Sequence, residues 1–116
     1  MKVLVTGANG FVGGAVGTTL AAQGHSVRAA LRRKSASAHS PTEAITVGTV
    51  DAVTDWHSAL AGCEAIVHLA ARVHVMNDNV ADPLTEFRRV NVDGTLNLAR
   101  QAATAGLRRF VFVSSI

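Results

Sequence analysis

Residues 5–13, VTGANGFVG, constrain the fold more than any other stretch of this chain. An apolar run, Val3, Leu4 and Val5, ends in Thr6; glycines follow at Gly7, Gly10 and Gly13, and a helical pattern opens at Phe11 or Val12 and continues through Val16 and Leu20. Each glycine has a separate physical reason. Gly7 lets the chain turn sharply off a strand, into backbone angles a side chain resists. Gly10 leaves room for an anion to approach backbone N–H groups, and Gly13 lets the helix pack close to the strand. Strand, tight turn and helix N-terminus together aim unpaired N–H groups and the positive end of a helix dipole at one point. That arrangement suits the pyrophosphate of a dinucleotide.

The rest of the chain fits one α/β domain. At 116 residues there is room for one domain, and 48% hydrophobic against 16% charged residues suits buried parallel strands rather than disorder. The net charge of +3 includes one basic cluster, Arg32–Arg33–Lys34, with no aromatic residue interleaved, which speaks against a nucleic-acid partner. Cys63 is the only cysteine, so an intrachain disulfide and a cysteine-based metal site are excluded; His25, His39, His57 and His74 lack ligand spacing, and no metal is expected. The apolar start breaks at Thr6–Gly7 and no run reaches the ~20 residues of a membrane span. A soluble, cytoplasmic protein without a membrane partner is expected.

Read in order, Lys2–Thr6 is a first strand, and residues 11–23 a helix stopped by Gly24. Ser26–Leu31 is a second strand, followed by a polar loop over 32–42 containing Pro41. Residues 43–47 form a third strand. Thr54 is expected to cap a short helix over 55–61, ended by Gly62. A fourth strand covers 64–69; Asp82–Pro83 starts a long helix with Phe87, Val90, Gly94 and Leu98 on its apolar face, ended by Gly106. Residues 109–114 are a fifth strand. Strands alternating with helices imply right-handed crossovers and a doubly wound Rossmann-type parallel sheet of order 3-2-1-4-5.

TGANGFVG resembles the cofactor loop of the extended short-chain dehydrogenase/reductase family, which includes NAD(P)-dependent nucleotide-sugar epimerases and dehydratases. Four further steps carry the resemblance. Gly48–Thr49–Val50 sits where the family has Gly-Asp-(Leu/Ile/Val), with Thr49 replacing the Asp that hydrogen-bonds adenine. His68–Leu69–Ala70–Ala71 resembles the family's HLAA step and implies Leu69, Ala70 and Ala71 as cofactor neighbours. For His68 itself, a core-edge histidine satisfied by a backbone carbonyl is the favoured reading. Asn91-Val92-Asp93-Gly94-Thr95 resembles the helix whose Asn supports the nicotinamide side, and Gly94 is expected to allow close approach to the sheet. Ser114–Ser115 resembles the strand-end pair whose second serine, here Ser115, hydrogen-bonds the reacting sugar oxygen.

The resemblance thus implies a cofactor held by Gly7, Asn9, Gly10, Phe11, Val12, Gly13, Thr49, Val50, Leu69, Ala70, Ala71 and Asn91. The second strand runs into Arg32 and Arg33 with no carboxylate, which favours the 2′-phosphate of NADP over the 2′-hydroxyl of NAD, a solvated basic loop being the alternative. The family's proton carrier, a Tyr followed four residues later by Lys, has no counterpart, since the chain contains no Tyr. Residues 1–116 are therefore expected to be the N-terminal, NAD(P)-binding part of such an enzyme, without the Tyr-x-x-x-Lys segment or substrate lobe, and inactive alone. A sugar or carbonyl reductase of the same family, or a non-catalytic dinucleotide-sensing module, are the competing readings. A nucleotide sugar is the implied substrate, and a homodimer or larger self-association is expected.

Overall fold

The computed structural model describes residues 1–7, 11–31, 43–48, 50–69, 85 and 88–112. Its strands are β1 (Lys2–Thr6), β2 (Ser26–Leu31), β3 (Glu43–Thr46), β4 (Ala65–His68) and β5 (Arg109–Phe112). Between them lie α1 (Phe11–Ala22), α2 (His57–Leu60), and a π-helical turn (Arg89–Gly94) that runs directly into α3 (Thr95–Thr104). All strand pairs are parallel and the sheet order is β3-β2-β1-β4-β5, the expected doubly wound topology. Among the described residues no helix is long and apolar enough to cross a membrane.

The two-residue alternation of strands sorts side chains to the two faces of the sheet. Leu4, Ala30 and Ile66 join Trp56, Ala59, Leu60, Leu98 and Ala102 in one buried cluster, on the face covered by α2 and α3. Val3, Val5, Val27 and Ala65 form a second cluster on the other face, against Leu20 and Ala21 of α1. Gly17 of α1 is buried beside Val27, whose Cγ1 would lie 3.9 Å from an added Cβ. The helices stop where glycine permits a left-handed residue: Gly24 has φ 91° and Gly106 φ 82°.

Arg28 is a charged residue in the middle of a buried strand. Its Nη1 donates to the carbonyls of Ala59 and Ala61, each at 2.7 Å, and its Nε to Glu43 at 3.2 Å. The guanidinium thereby satisfies carbonyls at the end of α2 that no helical N–H can reach. Lys2 and Arg28 together hold the Glu43 carboxyl below its usual range.

Two local expectations are corrected. The short helix starts at His57 rather than 55, and Thr54 does not cap it: the Thr54 hydroxyl accepts from Asp51 N and donates to Asp51 Oδ1. Asp55 Oδ1 instead accepts from His57 N, two residues on, as Asp side chains do in tight turns. The NVDGT segment is not regular α-helix but lies in and just after the π turn, where hydrogen bonding from i to i+5 widens the coil.

Candidate functional site

The candidate site is the carboxyl edge of the central strands, where β1 and β4 part and the chain leaves in opposite directions. Open parallel sheets bind ligands at that reversal of strand order. Gly7 follows β1 directly and has φ 69°, a conformation that L side chains resist, so it makes the turn expected of it. Helix α1 then begins at Phe11 and includes Val12 and Gly13, with no acidic residue in its first turn to oppose an anion. These residues fit the pyrophosphate end of a dinucleotide.

Beside this turn, three elements meet on one histidine. Thr6 and His68 close their strands as directly paired residues, and both face the α3 side. Thr6 Oγ1 lies 2.7 Å from His68 Nδ1 and also accepts from Leu69 N at 3.0 Å. On its other side, His68 Nε2 is 3.0 Å from the hydroxyl of Thr95, the residue that follows the π turn. The expected backbone-carbonyl partner of His68 is therefore replaced by two threonine hydroxyls, which can donate or accept and so suit either neutral tautomer. His68 is 1% exposed, and burial lowers its pKa to about 4, so the ring is neutral at physiological pH. Phe110 and Phe112 flank it at centroid distances of 6.0 and 5.8 Å.

Asn91 sits in the π turn, half-buried, one helical turn ahead of Thr95. Gly94 is buried as expected, but its close neighbour is not the sheet. A Cβ at Gly94 would stand 2.9 Å from Val50 Cγ1 and 3.2 Å from the Val50 carbonyl carbon and oxygen. The helix thus rests on the backbone that follows β3, the segment matched to the adenine step, and Val50 is half-buried there. Gly48, just before it, has φ 77°. Leu69 is half-buried at the end of β4, packed against the α1-side cluster.

The structure therefore gathers Gly7, the start of α1, Val50, Leu69 and Asn91 on the carboxyl edge of the sheet or on the helix and loop that border it. Asn9, Gly10, Arg32, Arg33, Thr49, Ala70, Ala71 and Ser115 lie outside the described residues. Sequence reasoning missed Thr6 and Thr95 as partners of His68. It also missed Asn97 and Gln101, whose amides bond the loop over 51–56. Their spacing, i and i+4 beside Leu98 and Ala102, is the signal that could have placed them on an inward-facing strip. Among the described residues no group of three or more His, Cys, Asp or Glu could hold a metal ion.

A parallel sheet of this order, with a left-handed glycine after its central strand and a helix beyond it, is a Rossmann-type doubly wound fold. Residues 3–116 match the NAD dependent epimerase/dehydratase family, and the chain belongs to it. It is 42% identical to the UDP-glucose 4-epimerase of Vibrio cholerae over 119 aligned residues, covering 99% of this chain and 35% of that protein. It is 39% identical to a 3-beta-hydroxysteroid dehydrogenase of Mycolicibacterium neoaurum, covering 98% of this chain and 32% of the relative. The solved structure of MoeE5 in complex with UDP-glucose and NAD superposes with a TM-score of 0.77 at 30% identity, covering 99% of this chain and 36% of that one. The chain thus spans about a third of the length of the relatives it matches.

Proposed function

We propose that this chain is the NAD(P)-binding part of a nucleotide-sugar epimerase or dehydratase. The observation that carries this reading is the left-handed Gly7 turn between the central strand and α1, in a chain of the epimerase/dehydratase family. Gly7, Asn9, Gly10 and the first turn of α1 (Phe11, Val12, Gly13) would hold the pyrophosphate through backbone N–H groups. The adenosine half would extend over β2 and β3, towards Arg32, Arg33, Thr49 and Val50, because that side of the turn receives the first nucleoside in such sheets. Leu69, Ala70, Ala71 and Asn91 would border the nicotinamide half, with Ser115 hydrogen-bonding the reacting sugar oxygen. When bound, the cofactor supplies reversible hydride exchange with a carbon of the sugar.

The nucleotide-sugar assignment takes its support from the Vibrio cholerae relative. The hydroxysteroid dehydrogenase relative supports a second reading, a dehydrogenase or reductase of the same family acting on another alcohol or carbonyl. Both readings share the cofactor cradle. Calorimetric titration of the 116-residue chain with NADH and NADPH tests it, and binding of at least one is expected. Gly10→Val should abolish binding with the circular dichroism spectrum unchanged, since its side chain would occupy the phosphate approach. Wild-type affinity in that variant, or a folded wild type that takes neither dinucleotide at millimolar concentration, would sink the proposal.

A further inference from the structure

We infer that Asn97 and Gln101 are positioning residues for the adenine side of the cofactor groove, acting by clamping the loop after β3 onto the helix that begins beside Asn91. The inference rests on the cofactor placement proposed above. Its own basis is a set of contacts between α3 and residues 50–56. Asn97 Nδ2 donates to the carbonyls of Asp51 at 3.1 Å and Thr54 at 2.9 Å. Gln101 Nε2 donates to Thr54 O at 2.8 Å and to Asn97 Oδ1 at 2.8 Å, while Gln101 Oε1 accepts from Trp56 N at 2.8 Å. The Trp56 N–H fixes which end of the Gln101 amide is oxygen, and that choice leaves Nε2 to serve the two acceptors.

These bonds go mostly to main chain, so they fix the path of the loop rather than the identity of its side chains. Gly94 completes the contact one turn earlier: with Val50 carbonyl atoms 3.2 Å from the position of a Cβ, a side chain there makes the Val50 backbone give by a few tenths of an ångström. Three helix positions, Gly94, Asn97 and Gln101, therefore hold the backbone at Val50, Asp51, Thr54 and Trp56, the segment that follows β3. The same helix is tied at Thr95 to His68 on β4. The loop reaches the groove from β3, two strands to one side of β1, and His68 ends β4, adjacent on the other side. One helix thus sets the relative position of the two flanks of the groove, and an amide pair, being uncharged, does so without placing a charge beside the ligand.

The test compares NADH with deamino-NADH, in which hypoxanthine replaces adenine, by calorimetry on the 116-residue chain. Wild type should prefer NADH by about fivefold, the effect of roughly one hydrogen bond to the base. The double variant Asn97→Ala, Gln101→Ala should lose that preference while its affinity for deamino-NADH stays close to that of wild type. Gly94→Ala keeps both amides but displaces Val50, and should lose the preference in the same way; it serves if the double variant does not fold. Preference retained in the folded variants overturns the inference. So does an equal fall in affinity for both ligands, which is the signature of a clamp that serves folding alone. A wild type that binds both ligands equally removes adenine from Gly48–Val50 and the inference with it, while leaving the cofactor cradle intact. A wild type that binds neither rejects the cradle itself.

Discussion

Thr6 Oγ1 and His68 Nδ1 stand 2.7 Å apart across the β1–β4 ladder, where the two residues are direct partners at the last paired position. With Thr95 on the far side of the ring, this contact links the strand that leads into the glycine turn, the neighbouring strand, and the helix that follows Asn91. A buried hydrogen-bonded ring of this kind depends on remaining neutral, because a charge there loses its hydration.

That dependence sets a pH response. His68 has a folded-state pKa of about 4, lowered by burial from an ordinary 6.5. Between those values the unfolded chain binds the proton more readily, so stability falls as pH drops through 6.5 towards 4. Above that window the contribution is fully present, and below it no further loss comes from this residue. A shift of that size corresponds to a loss on the order of 3 kcal/mol. Urea unfolding at intervals from pH 7.5 to 4 should show the decline, and His68→Gln should flatten it. An unchanged pH profile in His68→Gln would assign the decline to other groups.

Arg28 should be among the most sensitive positions of the sheet. Arg28→Met fills similar space but takes the guanidinium donor from the Ala61 carbonyl and leaves Ala59 O only the weak bond from Cys63 Sγ at 3.5 Å, at a cost of about 2–4 kcal/mol. Glu43→Gln, at an exposed carboxylate whose ion pairs are screened by water, should cost much less. Denaturant midpoints of the two variants decide the matter; equal, small effects would show that α2 ends without help from the guanidinium.

The cofactor should be NADP(H) in preference to NAD(H), because β2 leads into Arg32–Arg33 and offers no carboxylate to a ribose hydroxyl. Calorimetry with both dinucleotides at fixed salt measures this. Arg32→Ala with Arg33→Ala should erase the preference and leave NAD(H) affinity largely unchanged. A wild-type preference for NAD(H) of about tenfold or more rejects the assignment.

No epimerase, dehydratase or reductase turnover is expected from the 116-residue chain alone. It contains no Tyr, and a serine hydroxyl such as that of Ser115 is a poor proton donor near neutral pH without a partner acid or base. Steady-state hydride transfer by the purified chain would overturn this expectation.

Self-association is expected at micromolar concentration. Val92 and Leu96, four residues apart where the π turn passes into α3, are each about half exposed, as are Val111 and Phe112 on the edge strand β5. Apolar helix faces and unpaired strand edges both favour association with a second copy. A single monomer-sized boundary in sedimentation velocity up to ~100 μM, far above a ~1 μM dissociation constant, would exclude it. Slowed hydrogen exchange over Thr95–Thr104 on concentration, with β5 unchanged, would place the contact on the helix, as expected; Leu96→Glu should then weaken it.

The fold was legible because its signals are local. Apolar runs, glycine stops and alternating periods place five strands in an order that the right-handed crossover rule then leaves little freedom to change. Gly7 and Gly24 were readable for the same reason, since backbone angle is a property of one residue. Contacts that depend on tertiary register were not. Nothing in EAIVHL says that its histidine meets a threonine 62 positions earlier, nor does SVRAAL show that its arginine reaches carbonyls beyond residue 57. Gly94 is expected to let the helix approach the sheet, but its close neighbour is Val50 beyond β3, which follows from how the helix lies across the sheet rather than from either sequence.

The π turn at Arg89–Gly94 lets the helix take up one extra residue without losing its phase. Each α-helical residue advances about 100° around the axis, and a turn bonded i to i+5 accommodates one residue more than its neighbours do. The flanks of the turn, Arg88 and Thr95, therefore keep the angular relation they would have in a regular helix one residue shorter. Deleting a single residue between 89 and 94 would let the helix run on in regular α form with both flanks aimed as now, yet swing the side chains inside the turn away from their present aim. The angular setting of Asn91 is in this sense encoded as a residue count, independent of which side chains fill the turn.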